Sequence, residues 1–251
     1  MNEKIVERLA QAKSLLVITG AGISAESGIP TFRGADGLWK NYRAEELATL
    51  DAFERDPETV WQWYDWRRGI IGKAEPNPGH LAIKELEDMF GNFLLITQNV
   101  DGLHGRTGIK SIVEIHGNLW RVRCTREGTT SMHMDVPLKS IPPKCGCGAV
   151  LRPDVVWFGE SIPSHALELS FSVLEQCDTL IVVGTSGVVY PVASFPQTVK
   201  DNGGYVVEVN VEPTPISAIA DASLYGNSGD ILPMLVKWLK EKQKQGQGLR
   251  D

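Results

Sequence analysis

The sequence predicts an α/β fold built on an open parallel sheet. Apolar, β-branched segments alternate with helical patterns along the chain, and a polar stretch follows each of these segments. Alternation of strands with helices is typical of a parallel sheet covered on both faces. A chain of 251 residues is long enough for one large domain or for one domain with an insert.

The predicted elements follow in chain order. Residues 2–13 have the pattern of an amphipathic helix. SLLVITG, 14–20, is apolar and β-branched and ends on glycine, as expected of a buried strand. Three more segments of the same character are predicted strands: FLLITQN (93–99), TLIVVGTS (179–186) and YVVEVN (205–210). Helical patterns lie between strands at 79–90 and 165–176.

Two segments depart from this alternation. Residues 34–78 contain a tryptophan-rich helix, and residues 119–153 contain arginines and cysteines around IPPKCGCG. We expect both to be inserts that form a smaller lobe within a single domain spanning 1–251. The large lobe then comprises about 1–33, 79–118 and 154–245. The polar tail KEKQKQGQGLRD is predicted to fray.

Composition excludes several classes of protein. The net charge of −6, with acids and bases mixed, gives no electrostatic footprint for nucleic acid or an anionic membrane. The N-terminal segment does not resemble a signal peptide, and no apolar run approaches the roughly 20 residues of a membrane span. The cysteines are clustered rather than spread, so a disulfide framework is not expected. We therefore expect a cytoplasmic protein, with a monomer favoured although the sequence does not fix the oligomeric state.

The glycine-rich stretch GAGISA, 20–25, follows the first strand and fits G-x-G-x-x-G/A. Gly20 and Gly22 would let the backbone approach a pyrophosphate at a helix N-terminus. The same pattern also occurs in simple turns, so both interpretations remain open. A dinucleotide dehydrogenase should reach a second strand with an acid at its end within about 30 residues. GIPTFRGADGLW follows here instead, which suggests chemistry other than hydride transfer.

Polar side chains follow each predicted strand. Ligands of open α/β sheets bind beyond the carboxyl ends of the strands, and TQNVD places Gln98, Asn99 and Asp101 at such an end. Asp101 alone would be interpreted as a helix cap, but four polar strand ends on one sheet indicate a site. His116 in EIHGNLW is either a structural histidine, as most single histidines are, or a general base, a role that the pKa range of histidine suits near neutral pH.

Six short motifs carry a resemblance to a known family. GAGISAESGIPTFRG, TQNVDGLH, EIHG, VVWFGE, GTS and EVN occur in this order and spacing. Together they resemble the sirtuins, NAD-dependent protein-lysine deacylases, over about residues 10–240. The resemblance implies a Rossmann-like large lobe, a small lobe made of a helical module and a zinc module, and a cleft that binds NAD and the acyl-lysine of a protein substrate.

The resemblance assigns site residues position by position. Those matching the NAD-binding positions are Gly20, Ala21, Gly22, Ile23, Ser24, Thr31, Phe32, Arg33, Trp39, Gln98, Asn99, Asp101, Gly184, Thr185, Ser186, Asn210, Val211, Glu212 and, by a weaker alignment, Ser228. The loop at 31–42 is expected to act as a lid. His116 matches the catalytic histidine, which would act as general base on a ribose hydroxyl, with Asn99 and Asp101 beside it. The implied products are free lysine, nicotinamide and O-acyl-ADP-ribose.

The substrate side is assigned in the same way. VVWFGE (155–160) resembles the edge that pairs with the substrate peptide, through Val156, Phe158, Gly159 and Glu160. GVVYP (187–191) would form the opposite edge. The peptide would then bind as an added strand, with little demand on its sequence.

One helix carries a specificity signal. Tyr64 and Arg67 lie three apart and share a helix face, and YDWR matches the Y-x-x-R of class III sirtuins, which prefer succinyl, malonyl or glutaryl lysine. Ala48 resembles the small residue that leaves room for the longer acyl group. The alternative is that Arg67 pairs with an acid such as Glu46 or Asp65 at the rim. We expect Arg68 to be a solvated neighbour.

The zinc module implied by the resemblance is degenerate. Structural zinc usually takes two C-x2-4-C pairs, whereas this chain has Cys124, a glutamate at 127, and the closely spaced Cys145 and Cys147. Glu127 or His133 is a candidate fourth ligand. Alternatively the metal is lost and the lobe holds by packing. Cys177 is predicted to be a buried thiol.

The leading prediction is an NAD-dependent desuccinylase and demalonylase. A general deacetylase is the alternative within enzymes. A non-catalytic NAD or ADP-ribose sensor is the alternative of another class, although the presence of Asn99, Asp101 and His116 argues against it.

Overall fold

The computed structural model describes residues 3–31 and 43–247. Its helices are α1 (Glu3–Gln11), α2 (Ala21–Ala25), α3 (Ala44–Leu47), α4 (Leu50–Arg55), α5 (Pro57–Ile71), α6 (Pro78–Met89), α7 (Leu103–Arg106), α8 (Ser164–Leu174), α9 (Phe195–Asp201) and α10 (Ser228–Gln247). Its strands are β1 (Leu15–Thr19), β2 (Phe93–Thr97), β3 (Ile112–Glu114), β4 (Gly117–Cys124), β5 (Thr130–Met132), β6 (Leu151–Val155), β7 (Thr179–Val183), β8 (Tyr205–Asn210) and β9 (Ala222–Tyr225). Within the described ranges no helix is long and apolar enough to cross a lipid bilayer.

The main sheet of the described residues has six strands in the order β3-β2-β1-β7-β8-β9, and its five strand pairings are all parallel. The predicted α/β class is therefore confirmed. All residues of β1, β2 and β7 are buried, as expected for strands covered on both faces. The strand order reverses between β1 and β7, so a crevice is expected beyond their carboxyl ends.

Two apolar cores cover the faces of this sheet. Side chains alternate along a strand, and Val17 of β1 belongs to the core that also contains Leu235 of α10. Ile18 belongs to the opposite core, with Phe195 of α9. The sheet is thereby fixed from both sides, and its carboxyl edge is a stable platform for polar side chains.

The two inserted segments share a third core. It combines residues of α3, α4 and α5 with residues of β4 and β6. The antiparallel sheet of order β5-β4-β6 carries the cysteines, and Trp61 of α5 donates from Nε1 to the Leu151 carbonyl at 2.7 Å. The helical and cysteine-containing segments thus pack on each other as one smaller lobe.

Candidate active site

Two glycine-containing turns meet at the β1–β7 reversal. The N–H of Gly22 donates to the Gly184 carbonyl at 2.8 Å. A Cβ added at Gly20 or Gly22 would lie 2.8 Å from Gly184 atoms, and one at Gly184, whose φ is +57°, would lie 2.5 Å from the Ile23 nitrogen. Glycine is required because the two backbones touch. Both turns therefore lie beside the crevice, where Gly20 is buried and Gly22 and Gly184 are partly exposed.

The side chains after β2 connect with both turns. Gln98 donates from Nε2 to the Thr185 hydroxyl at 3.0 Å. Asn99 donates from Nδ2 to the Gly20 carbonyl at 3.0 Å and to the Ser24 hydroxyl at 3.1 Å. The expected grouping of polar strand ends is present in the structure.

Asp101 is buried and held on both oxygens. Its Oδ2 accepts the Ser24 hydroxyl at 2.8 Å and its Oδ1 accepts the Leu103 N–H at 2.8 Å. Desolvation raises the pKa of this carboxyl, and the two hydrogen bonds and the charges of Arg67 and Arg106 oppose that rise. The contact with Leu103 is a helix-cap contact, so the capping interpretation of Asp101 holds together with its place in the polar cluster.

His116 lies between β3 and β4, directly before β4, and its ring contacts the residue that follows β2. Its Nδ1 lies 3.2 Å from the Gln98 carbonyl oxygen. A carbonyl can only accept, so Nδ1 carries the proton in the neutral ring and Nε2 is the basic nitrogen. Burial lowers the pKa of His116, and the bond to Gln98 partly offsets this. The ring is therefore neutral at physiological pH, as a general base must be.

The last polar strand end belongs to β8. Asn210 donates from Nδ2 to the Thr185 carbonyl at 2.8 Å, while Val211 is exposed. Glu212 is exposed as well.

The remaining predicted NAD-binding residues lie elsewhere along the chain. Ala21, Ile23 and Ser24 lie in α2. Thr31 is partly exposed. Ser186 follows Thr185 at the end of β7, and Phe32, Arg33 and Trp39 lie outside the described residues.

Ser228 lies farther from this group. Its hydroxyl is buried and donates to Glu26 Oε1 at 2.6 Å, at the start of α10. The Gly229 N–H also donates to Glu26 at 3.0 Å. The Ser228 side chain therefore fastens α10 to the end of α2.

The segment after β6 bridges the two lobes. The Val156 N–H donates to the His116 carbonyl and the Phe158 N–H donates to the Ala48 carbonyl, both at 2.9 Å. Phe158 is exposed, as is Gly159, whose φ is +85°. The segment thus runs from the candidate base to the small residue predicted beside the acyl group.

Glu160 forms hydrogen bonds with residues 152 and 157, which precede it in the chain. Its carboxylate accepts hydrogen bonds from both terminal nitrogens of Arg152, at 2.6 and 2.8 Å, and from the Trp157 N–H, at 2.9 Å. The ion pair lowers the pKa of Glu160 against the opposing effect of burial.

Tyr64 and Arg67 lie together on the inner side of α5. Tyr64 is 3% exposed and Arg67 is partly buried. The Trp63 ring lies 4.5 Å from the Tyr64 ring centroid and 5.2 Å from the Arg67 guanidinium carbon. Desolvation lowers the pKa of Arg67, and the charges of Tyr64 and Asp101 raise it. Asp65, one of the acids considered for the rim, accepts the Leu138 N–H at 2.8 Å.

Arg68 is not a solvated neighbour, and that expectation is wrong. Its side chain is fully buried, donates from Nη2 to the His133 carbonyl, and lies 5.1 Å from the Trp120 ring centroid. Arg68 lies where α5 contacts β4, so this side chain is shielded from water although Trp66 beside it is exposed.

The three clustered cysteines meet Glu127. One ligand atom of each of these four side chains lies within 4.8 Å of the others. Cys124 Sγ lies 3.5 Å from Cys147 Sγ, and Cys145 Sγ lies 3.8 Å from Glu127 Oε2. Zn–S bonds of about 2.3 Å in a tetrahedron would separate sulfurs by about 3.8 Å. The cluster can therefore hold zinc, with Glu127 rather than His133 as its fourth member.

The other cysteine prediction concerns Cys177, which is buried and donates to the Thr179 carbonyl at 3.1 Å. Burial raises the pKa of this thiol to about 12. All four cysteines are free thiols. Cys177 is thus the buried thiol that was predicted.

Two buried histidines were not singled out by sequence reasoning. His80 Nε2 lies 3.4 Å from the Ser24 hydroxyl, and His104 Nε2 lies 3.0 Å from the Thr19 hydroxyl. Their only sequence signals are a position next to a helix start, in NPGH, and one at the end of TQNVDGLH. The structure adds both to the polar cluster.

Comparison with known proteins agrees with this geometry. The Sir2 family model matches residues 20–191. An NAD-dependent protein deacylase of Aquifex aeolicus is 53% identical over 91% of this chain and 96% of its own. A solved Sir2 homologue–NAD complex has a TM-score of 0.92 and 47% identity, covering 96% of this chain and 95% of that one. A Sir2 variant with a deacetylated p53 peptide and 3′-O-acetyl ADP-ribose has a TM-score of 0.86 and 32% identity, covering 94% and 97%.

Proposed function

The chain belongs to the Sir2 family and is an NAD-dependent protein deacylase, and we propose that it prefers lysine substrates whose acyl group ends in a carboxylate, such as succinyl- and malonyl-lysine. NAD, when bound, supplies the ADP-ribose that receives the acyl group and the nicotinamide that leaves. The crevice at the β1–β7 reversal, with two glycine turns and several amide side chains at its edge, suits a dinucleotide.

The observation that carries the acyl preference is the pairing of Tyr64 with Arg67 behind residues 156–158. The Tyr64 hydroxyl contacts Trp157, the residue between the two backbone contacts to His116 and Ala48. Arg67 interacts electrostatically with both Tyr64 and Asp101. A cation and a hydroxyl thus lie between the candidate peptide edge and the polar cluster.

Burial of a charged acyl group has a free-energy cost that the protein must offset. An acyl carboxylate brought out of water needs an opposite charge and hydrogen bonds. A guanidinium offers a planar pair of donors that matches two carboxylate oxygens, and a phenol adds a third donor. A neutral acetyl group would gain nothing from either side chain. Ala48 is buried and has the small side chain that the resemblance places beside the acyl group.

The catalytic roles proposed here follow from the hydrogen bonds. His116, with Nδ1 bound to Gln98, has Nε2 available to take a proton from a ribose hydroxyl. Asn99 is oriented by Gly20 and Ser24, and Asp101 by Ser24 and Leu103. Holding these side chains rigidly lowers the entropy lost when substrate binds.

The test is a pair of substitutions assayed on one peptide sequence carrying either acyl group. Arg67→Met should raise KM for the succinyl peptide by tenfold or more, since a charge-assisted hydrogen bond contributes about 1.5–3 kcal/mol. KM for the acetyl peptide should be unchanged. Arg55→Met, at an exposed arginine of the same lobe, is the matched control and should change neither constant.

Equal effects of Arg67→Met on both peptides would refute the acidic-acyl preference. The chain would then be a general deacetylase, the alternative left open by the sequence. The sensor alternative is disfavoured because the relative at 53% identity is named as an enzyme.

A further inference from the structure

The Tyr64 hydroxyl is engaged by a second aromatic side chain. Trp157 donates from Nε1 to the Tyr64 oxygen at 2.8 Å, and both residues are almost fully buried. An indole N–H can only donate, so the phenol oxygen is the acceptor in this bond. The phenolic proton is therefore available for a different acceptor.

The protonation state of Tyr64 agrees with a donor role. Desolvation raises the pKa of Tyr64 to about 12, and the hydrogen bond from Trp157 and the charge of Arg67 only partly offset this. The hydroxyl keeps its proton throughout the physiological range.

Trp157 is itself fixed on several sides. The Arg152 guanidinium carbon lies 3.7 Å from the Trp157 ring centroid, and Glu160 holds Arg152 by two hydrogen bonds. Glu160 also accepts the Trp157 backbone N–H, and the Phe53 ring lies 5.1 Å from the indole. An indole held in this way has little freedom to turn its N–H elsewhere.

The neighbours of Trp157 in the chain point the other way. Side chains alternate along an extended segment, and Val156 and Phe158 are more exposed than Trp157. The segment therefore offers its outer side to a peptide while its inner side contacts Tyr64.

We propose that Trp157 is a positioning residue for acyl specificity, whose indole N–H directs the Tyr64 hydroxyl proton toward the carboxylate of the acyl group. The inference rests on the proposed function, since it assumes that Tyr64 and Arg67 receive that carboxylate. Trp157 acts through Tyr64 and does not itself contact the acyl group.

A double-mutant cycle tests this role. Trp157→Phe, Tyr64→Phe and the double variant are assayed for KM and kcat on succinyl and acetyl peptides. Trp157→Phe should raise the succinyl KM about three- to tenfold relative to the acetyl KM, as expected for loss of one neutral hydrogen bond, with kcat little changed. In the Tyr64→Phe background the same substitution should leave the succinyl-to-acetyl ratio unchanged.

Trp61→Phe is the matched control, because Trp61 is a buried tryptophan of the same lobe whose Nε1 donates to a backbone carbonyl instead. It should leave the succinyl-to-acetyl ratio unchanged. If Trp157→Phe does not fold, Trp157 is replaced by benzothienylalanine, which keeps the bicyclic ring and has sulfur in place of the N–H. That replacement should give the same three- to tenfold change.

Two results are distinguishable. The positioning role is overturned if Tyr64→Phe and Arg67→Met change the succinyl-to-acetyl KM ratio but loss of the Trp157 N–H does not. It is also overturned if Trp157→Phe changes this ratio equally with and without the Tyr64 hydroxyl. In both cases the proposed function stands. If Tyr64→Phe and Arg67→Met leave the ratio unchanged, the proposed function fails, and this inference with it.

Discussion

The imidazole rings of His80 and His104 lie with their centroids 4.7 Å apart in the protein interior. His80 is 0% exposed and His104 is 2% exposed. One ring contacts Ser24 of α2 and the other contacts Thr19 at the end of β1, so the pair supports both sides of the first glycine turn. Burial lowers the pKa of His80 to about 4, and burial together with the electrostatic effect of His80 lowers the pKa of His104 well below its ordinary value.

Acid should therefore destabilise the fold through His80. Between pH 6.5 and pH 4 the unfolded chain binds a proton at His80 that the folded protein does not, so the free energy of unfolding falls as pH falls. The loss from this residue is about 3 kcal/mol at the bottom of that window. In His80→Gln the free energy of unfolding, measured with urea, should fall less between pH 7 and pH 4 than it does in the wild type. His165→Gln, at an exposed histidine, should behave like the wild type; an unchanged drop in His80→Gln would contradict the assignment.

The pH dependence of catalysis should reflect the buried position of His116. Burial lowers its pKa from the ordinary 6.5, so the neutral, basic form persists to more acidic pH. The acidic limb of kcat/KM should lie below pH 6.5, and His116→Ala should abolish turnover while NAD still binds by calorimetry. Undiminished turnover by His116→Ala would exclude the histidine as the base.

The cysteine cluster should bind zinc through Glu127. A carboxylate and three thiolates form a complete tetrahedral set, and structural zinc stabilises the fold around it. Glu127→Ala should lower bound zinc, measured by elemental analysis after dialysis, and should lower Tm. Glu127→Cys should retain zinc more strongly than the wild type does. Glu54→Ala removes an exposed glutamate of α4 and should change neither value. Zinc content equal in Glu127→Ala and wild type would show that Glu127 is not a ligand.

The strands that are buried on both faces were predictable, and the short ones were not. β1, β2 and β7 are apolar apart from one terminal threonine each, and β8 is apolar apart from Glu208 and Asn210, which the sequence displays directly. β3 has three residues and β9 has four, and both are partly exposed, so neither carries an apolar run. Their pairing depends on the neighbouring strands, which local sequence does not report.

The candidate site was predictable where it follows strand ends. Asn99 and Thr185 follow different strands, yet the ends of parallel strands lie at one edge of the sheet, where Gln98 donates to Thr185. Arg68 and His80 could not be placed in this way, because nothing in a helical sequence distinguishes a charged residue facing a neighbouring sheet from one facing water. Arg68 is buried beside Trp120 of β4, and His80 is buried beside Ser24 of α2 and His104.

We propose that Tyr64 and Arg67 make this deacylase selective for acidic acyl groups. The unmodified protein tests this selectivity most directly. Steady-state kcat/KM is determined on one peptide carrying either acetyl- or succinyl-lysine, with NAD, by following nicotinamide release. We expect kcat/KM to be at least tenfold higher for the succinyl peptide, because the acetyl group lacks the carboxylate that forms a charge-assisted hydrogen bond. A preference for the acetyl peptide would contradict it.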